Sequence, residues 1–242
     1  MWIALLLAVA SSAPEAKPNS ADEARQIIQR GIEAHGGEKQ LEKLSQNWRA
    51  KVRGTKGSLK ITGEMVNGAH RRSRVTMTLH SLIPVDVTVV DNGEHAWSRI
   101  AGFTNEVTGK DLAEMRDGQY RHHVRNLVPL LHEPGFDLAV LPEITVSDQP
   151  AVGIRVKSKG HRDIDLYFDK SSGLVVKTES RVLPPGKPPI VLEQILSDFR
   201  DFDGLKFAMK VTKFENHKLS SIEEYVDIQF VDHIDDHEFD KP

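Results

Sequence analysis

Histidine and carboxylate dominate the chemically useful residues of this 242-residue sequence, with 11 His, 35 Asp plus Glu, and no Cys. Without cysteine these residues hold no disulfide framework, no thiolate metal site, no cysteine nucleophile and no thiol for N-terminal lipidation. Metal binding is the first chemistry to weigh. His122 and His123 are adjacent, so on a helix they point to different faces and one ion cannot easily use both. His132-Glu133 starts like a zinc-hydrolase helix, but Pro134 and Gly135 break the H-E-x-x-H continuation. His233 and His237 stand four apart around Asp235 and Asp236, a spacing that holds a metal only on a helix. A solvated tail is the simpler reading there, and Gly160-His161 reads as a loop. A hydrolase would need an activated Ser or Thr. The sequence has no G-x-S-x-G elbow, and no Ser, His and acid set stands out. The residues themselves therefore point to neither an enzyme nor a metal site.

One basic run, His70-Arg71-Arg72-Ser73-Arg74, has two readings. It could contact anionic lipid headgroups or an acidic partner, or it could be the solvated face of a strand. The formal net charge of -3 gives no reason to expect nucleic acid as a partner.

The elements that would position these residues begin with a targeting signal. Residues 2–10 form an uninterrupted apolar run, followed by Ser11, Ser12 and Ala13. Ala8-Val9-Ala10 has the small-x-small form of a cleavage site, so residues 1–13 are expected to be a signal peptide, although no Lys or Arg precedes the run. The run is shorter than the roughly 20 apolar residues that span a bilayer. Residues 14–20 read as a linker and residues 21–242 as one domain. Ser20 and Glu23 form a capping box. Ala24, Ile27, Ile28 and Ile32 then lie on one helical face, and Gly36-Gly37 supplies the stop. Leu41 and Leu44 mark a short second turn.

From Trp48 the period changes to alternation. Leu59, Ile61 and Met65, then Val75, Met77 and Leu79, then Val85, Val87 and Val89 alternate with polar residues. Asn67-Gly68 and Asn92-Gly93 between these runs are hairpin signals. Residues 97–107 read as another short pair turned near Gly102. Residues 108–131 break the pattern. Thr108 can cap a helix carrying Leu112, Met115, Leu127, Val128 and Leu131, with Lys110, Glu114, Arg116, Arg121 and Arg125 on its water side. Gly118 suggests two helices, and Gly118, Pro129 and Gly135 suggest a movable lid. Alternation then resumes at Val152, Ile154, Val156, at Ile164, Leu166, Phe168, through residues 174–183 and 190–202, at Leu205, Phe207, Met209, Val211, and at Ile222, Val226, Ile228, Phe230. Residues 184–189 are too rich in proline to pair and read as a protruding hairpin tip. The pattern predicts a mainly β (α+β) domain of about ten to eleven antiparallel strands in one meander.

Three stretches together resemble a known family. They are the helix running into His35-Gly36-Gly37-Glu38 with Leu41 and Leu44; the segment from Ala151-Val152-Gly153 through His161, Asp165-Leu166-Tyr167-Phe168-Asp169, Ser172-Gly173-Leu174 and Lys177; and Asp198-Phe199-Arg200 with Asp203-Gly204-Leu205-Lys206, ending at Phe239-Asp240-Lys241-Pro242. In these the chain resembles the outer-membrane lipoprotein-sorting family, the LolA/LolB-like superfamily of periplasmic carriers. The resemblance implies a single curved sheet, an unclosed half-barrel with the N-terminal helix and the helical insertion plugging its concave face. It also implies acyl chains or other lipids as ligands, with no cofactor and no catalytic residue, in a non-catalytic carrier of the periplasm; a monomer is expected. An envelope membrane protein is the second partner class, through the alternative reading as an envelope-stress sensor or protein-interaction module. The apolar stripes by themselves fit a filled core equally well. Under the resemblance, the cavity lining is expected at Leu59, Ile61, Met77, Leu79, Val87, Val89, Trp97, Leu112, Met115, Leu127, Leu131, Ile154, Val156, Leu166, Phe168, Phe207 and Met209.

Overall fold

A computed structural model describes residues 20–242; the expected signal peptide, and the expected linker up to residue 19, lie outside the described residues. Helix α1 spans Ser20–Ala34 and buries Ala24, Ile28 and Ile32 along one face. It ends where the sequence predicts. Gly36 takes φ 107°, and Gly37 N–H donates to Ile32 O at 2.8 Å while Gly36 N–H donates to Glu33 O at 3.0 Å. This is the Schellman pair of bonds that satisfies the last carbonyls of a helix. Gly36 also sits against the next layer, since a Cβ there would meet Gly204 O at 2.0 Å. Helix α2 (Glu38–Glu42) and a 3-10 turn (Lys43–Ser45) follow.

Thirteen strands form one antiparallel sheet. The first six are β1 (Trp48–Lys56), β2 (Leu59–Gly68), β3 (Arg72–His80), β4 (Val85–Asp91), β5 (Ala96–Ile100) and β6 (Phe103–Glu106). Helices α3 (Gly109–Arg125) and α4 (Val128–His132) come next. The remaining strands are β7 (Phe136–Val146), β8 (Gln149–Ser158), β9 (Ile164–Asp169), β10 (Val175–Val182), β11 (Ile190–Phe202), β12 (Leu205–Glu215) and β13 (Lys218–Phe230). A 3-10 turn at Asp236–Phe239 closes the described chain. The strand order is 6-5-4-3-2-1-13-12-11-10-9-8-7, so every neighbour is a hairpin except the central pair of β1 and β13. The sheet is unclosed, and α3 and α4 connect its two edge strands.

The count exceeds the expected ten to eleven by two strands that the pattern hides. In β1 the inward positions are Ala50, Val52 and Gly54, too small to stand out as an apolar stripe. Strand β7 contains Pro142, which cannot donate to a ladder; it is accommodated because β7 is an edge strand and its register shifts between Leu141 and Ile144. A second correction concerns Asn67-Gly68. These residues stay paired in β2, opposite Ser73 and Arg72, and the turn falls later, at His70 and Arg71 with φ 60° and 64°. Gly68 is needed for another reason: a Cβ there would lie 2.6 Å from the Phe239 ring. Third, α3 runs unbroken through Gly118, and the interruption comes at Leu127. Leu127 has φ 70°, and Val128 N–H donates to Asn126 O at 2.9 Å in a tight γ-turn. Asn126 Nδ2 anchors that turn to Leu41 O at 2.8 Å.

The main core lies on the sheet face covered by α1, α2 and α4, here called the inner face. It joins Ala24, Ile28, Ile32, Leu41, Leu127 and Leu130 to Leu138, Ile154, Val156, Leu166, Phe168 and Val211. On the outer face of β2 and β4, Val66 and Val90 pack with Ile234, Phe239 and the partly buried Trp97. The chain after β13 is held there by charge. Arg72 pairs with Asp236 at 2.5 Å, Arg49 pairs with Glu238 at 2.8 Å, and the Arg72 guanidinium lies 4.8 Å from the Phe239 ring centre. Arg74 donates to Glu238 O. Two arginines of the basic run therefore clamp the protein's own C-terminal segment.

Candidate functional site

Strand β4 locates the site. Its outward Thr88 and Val90 are buried, whereas its inward Val85, Val87 and Val89 are only partly buried. Alternation would normally place the buried side chains on the core face. On β4 the valine face is therefore the less covered one, although its inward Asp91 and the neighbouring Ile61 of β2 are buried. The register shows how far it extends. Tyr225 pairs with Val52, Val52 with Gly63, Gly63 with Met77, Met77 with Val87, Val87 with Ile100 and Ile100 with Phe103. At roughly 4.8 Å per strand, this row crosses about 29 Å of sheet. Met65, Val75 and Val89 form a parallel row on one side, and Ile61, Leu79 and Val85 another. The central row ends in Ile100 and Phe103, exposed at the β5–β6 turn.

Helix α3 crosses from this half of the sheet to the other. Gln119 Nε2 donates to Asp91 Oδ2 at 2.9 Å and to Arg71 O at 3.0 Å. On the opposite side Arg162, in the β8–β9 loop, binds both Glu114 and Asp117, and His161 bonds Asp117 at 2.9 Å while stacking on Tyr120 at 3.6 Å. The polar bonds of α3 lie near strand ends, and Val124 with Tyr120 packs its last turns into the core.

Where α3 ends, a smaller cavity of about 40 Å³ lies against β10 to β13, lined by Leu41, Leu44, Leu196, Phe199, Phe207 and Val211 among others. That space suits about three waters and no acyl chain. Its polar members are His35, Arg125, Lys206 and Tyr225. His35 is fixed on both sides: its Nδ1–H donates to Lys206 O at 2.9 Å, and its Nε2 accepts from Val175 N–H at 3.2 Å. Burial holds its pKa below the ordinary histidine value, so it is the neutral imidazole that staples α1 to β10 and β12.

The expected lining residues separate into three groups. Leu59, Ile61, Met77, Leu79, Val87 and Val89 share the inner face of β2 to β4, where Ile61 is buried and the others are partly buried. Leu112 and Met115 sit partly buried on α3. Leu127, Ile154, Val156, Leu166 and Phe168 are fully buried in the core, with Leu131 packed on them. Phe207 lines the small cavity. Trp97 lies on the outer face with Val66 and Val90, and Met209 is buried outside that cavity lining. The histidines disperse into separate pairs, among them His132 with Glu38 and His123 with Glu133, each at 2.9 Å. The segment around His237 is a single turn that excludes His233. Among the described residues, no three metal-binding side chains converge.

An open antiparallel sheet whose edges are joined by helices, packed on an N-terminal helix, is a distinctive arrangement. It matches 98% of a DUF1329 family protein from Desulfovibrio piger over 92% of this chain, at TM-score 0.59 and 10% identity. A LolA superfamily protein from Nitrosomonas europaea matches at TM-score 0.54 and 11% identity, covering 90% of this chain and 97% of that one. The chain has the LolA-like fold. A third match, an outer membrane lipoprotein-sorting protein domain from Vibrio parahaemolyticus, gives TM-score 0.55 at 9% identity, with 91% and 97% covered. No protein-family model matches the sequence, and no curated protein matches it.

The sequence pattern missed one group. Arg125 was expected on the water side of the insertion, yet it lines the internal cavity beside Tyr225. Nothing in the helical period distinguishes it from Arg116 or Arg121. Only the docking of α3 turns it inward.

Proposed function

We propose that this LolA-like chain is a non-catalytic periplasmic carrier that shelters the apolar part of a lipid or a lipoprotein between the inner face of β2 to β6 and helix α3. The observation that carries the reading is the burial of β4, whose inward Val85, Val87 and Val89 stay partly exposed beside Met65, Val75, Met77 and Leu79 of the neighbouring strands. An acyl chain laid on that face would gain about 0.8 kcal/mol for each buried CH2, enough for useful affinity with no polar chemistry. The half-barrel form implied by the family would make this face the concave one, with α3 over it. No helix among the described residues is long and apolar enough to cross a membrane. The apolar run at residues 2–10 supports export.

One end of the sheet supports delivery at a membrane surface. Leu82 and Ile83 in the β3–β4 loop are exposed beside the exposed Ile100 and Phe103 of the next hairpin. Exposed Lys56, Lys60 and Arg99 lie at the same end. Apolar tips ringed by cations suit an anionic bilayer.

The test is binding of the neutral fluorophore N-phenyl-1-naphthylamine, displaced by monoolein, in the wild type and in Met77→Glu. Met77 is only partly buried, so the variant is expected to keep its melting temperature within a few degrees and lose at least tenfold in affinity. A wild type that binds neither compound refutes the carrier.

A further inference from the structure

Arg125 has no carboxylate partner among the described residues, although it sits where α3 meets the sheet and lines an otherwise largely apolar cavity. The other cations near it are already engaged. Lys213 Nζ binds Glu223 at 2.6 Å, and Arg121 binds Glu114 at 3.3 Å. Glu223, the carboxylate on the neighbouring inner positions of β13, is taken by Lys213 and by Ser221 Oγ at 3.3 Å. The one polar bond of the Arg125 guanidinium is Nη2 donating to His122 Nδ1 at 3.1 Å. Because arginine only donates, His122 must accept at Nδ1 and carry its proton on Nε2. The Tyr225 hydroxyl, beside Arg125 on β13, forms no hydrogen bond within the described chain. The remaining guanidinium N–H groups and the Tyr225 O–H, both on half-buried side chains, border the same cavity, and no carboxylate among the described residues pairs with them. A half-buried cation without a carboxylate, at the head of an apolar row, marks a binding position.

We propose that Arg125, with Tyr225, is the headgroup seat for an amphiphile bearing a single anionic group, a carboxylate or a phosphate. The proposal rests on the carrier reading and narrows its cargo. Tyr225 also begins the apolar row that runs through Val52, Gly63, Met77 and Val87 to the exposed Ile100 and Phe103. A headgroup held at Arg125 would therefore send its acyl chain across β1 to β6 under α3. A guanidinium suits this task because its planar fork meets carboxylate or phosphate oxygens in pairs.

The experiment displaces N-phenyl-1-naphthylamine from the purified, delipidated chain with oleate, oleoyl lysophosphatidate and oleyl alcohol, in the wild type and in Arg125→Met, each variant first checked by a thermal melt. The wild type is expected to prefer at least one anion over the alcohol by tenfold or more. Oleate alone would identify a free fatty acid, lysophosphatidate alone a phospholipid headgroup, and both together a general anion seat. Arg125→Met is expected to erase the preference while binding the alcohol within twofold of the wild type. Equal displacement by alcohol and anions in the wild type overturns the headgroup seat and leaves the carrier standing. Failure of every compound to bind overturns both. A preference that survives in Arg125→Met also overturns the assignment, and if that variant does not fold, the wild-type ratio decides.

Discussion

Acid should loosen this fold through His35, and the size of the effect follows from its bonds. The imidazole gives one proton to Lys206 O and takes one from Val175 N–H. Protonation puts a hydrogen on Nε2, where the Val175 N–H already points, so the charged form cannot keep both bonds. Burial depresses its folded pKa below the unfolded value of 6.5. The unfolded chain then binds a proton that the folded chain refuses. The stabilisation is fully present above pH 6.5 and is lost as pH falls from there toward the depressed folded value. Each pH unit in that window removes up to about 1.4 kcal/mol. With a urea m-value of about 3 kcal/mol/M, that is a drop of roughly 0.5 M in the unfolding midpoint per pH unit. Urea titrations followed by tryptophan fluorescence at pH 7.5, 6.5, 5.5 and 5.0 measure it. His35→Gln should lower stability at pH 7.5, because each buried backbone group left unpaired costs about 1–3 kcal/mol. It should also flatten the pH slope by about one proton. Other titrating groups are common to both proteins and cancel in the comparison. Identical slopes in the two proteins would refute the stapling role.

Two further outcomes test other parts of the structure. Phe239→Ala removes the central side chain of the outer cluster and should cost about 3–5 kcal/mol, read as a lower urea midpoint, whereas an unchanged midpoint would mean that the C-terminal segment is not part of the cooperative fold. Replacing both Leu82 and Ile83 by Ser should leave the melting temperature unchanged and reduce co-sedimentation with anionic phosphatidylglycerol vesicles at least fivefold, while undiminished co-sedimentation would remove the membrane-facing rim.

Much of this architecture is legible in local pattern. Alternation marks β2, β3 and β4 because their inner residues are large and apolar while their flanks are polar. Gly36-Gly37 marks the end of α1 because only glycine meets both the left-handed backbone and the close approach of Gly204 O. Other features depend on pairing that no local window contains. Pro142 disguises β7 until its edge position is known, and Gly68 imitates a turn until Phe239 arrives from far along the chain. The same limit applies to the site. Leu127 and Met77 read alike as apolar positions, yet one is fully buried between α1 and Phe168 and the other borders open space. Arg125 is one more arginine on a polar helix until α3 is docked.

The place of β1 in the sheet has a consequence for biogenesis. Trp48 pairs with Phe230, so the middle of the sheet is a seam between early and late parts of the chain. The hairpins on either side can form locally, but closing the seam waits until β13 has been made, and such long loops slow folding. During synthesis the two halves are meanders without a shared centre, and α1 lacks the β7 to β12 surface that covers its apolar face. A chain of this topology therefore completes the centre of its sheet only when its last strand has been made.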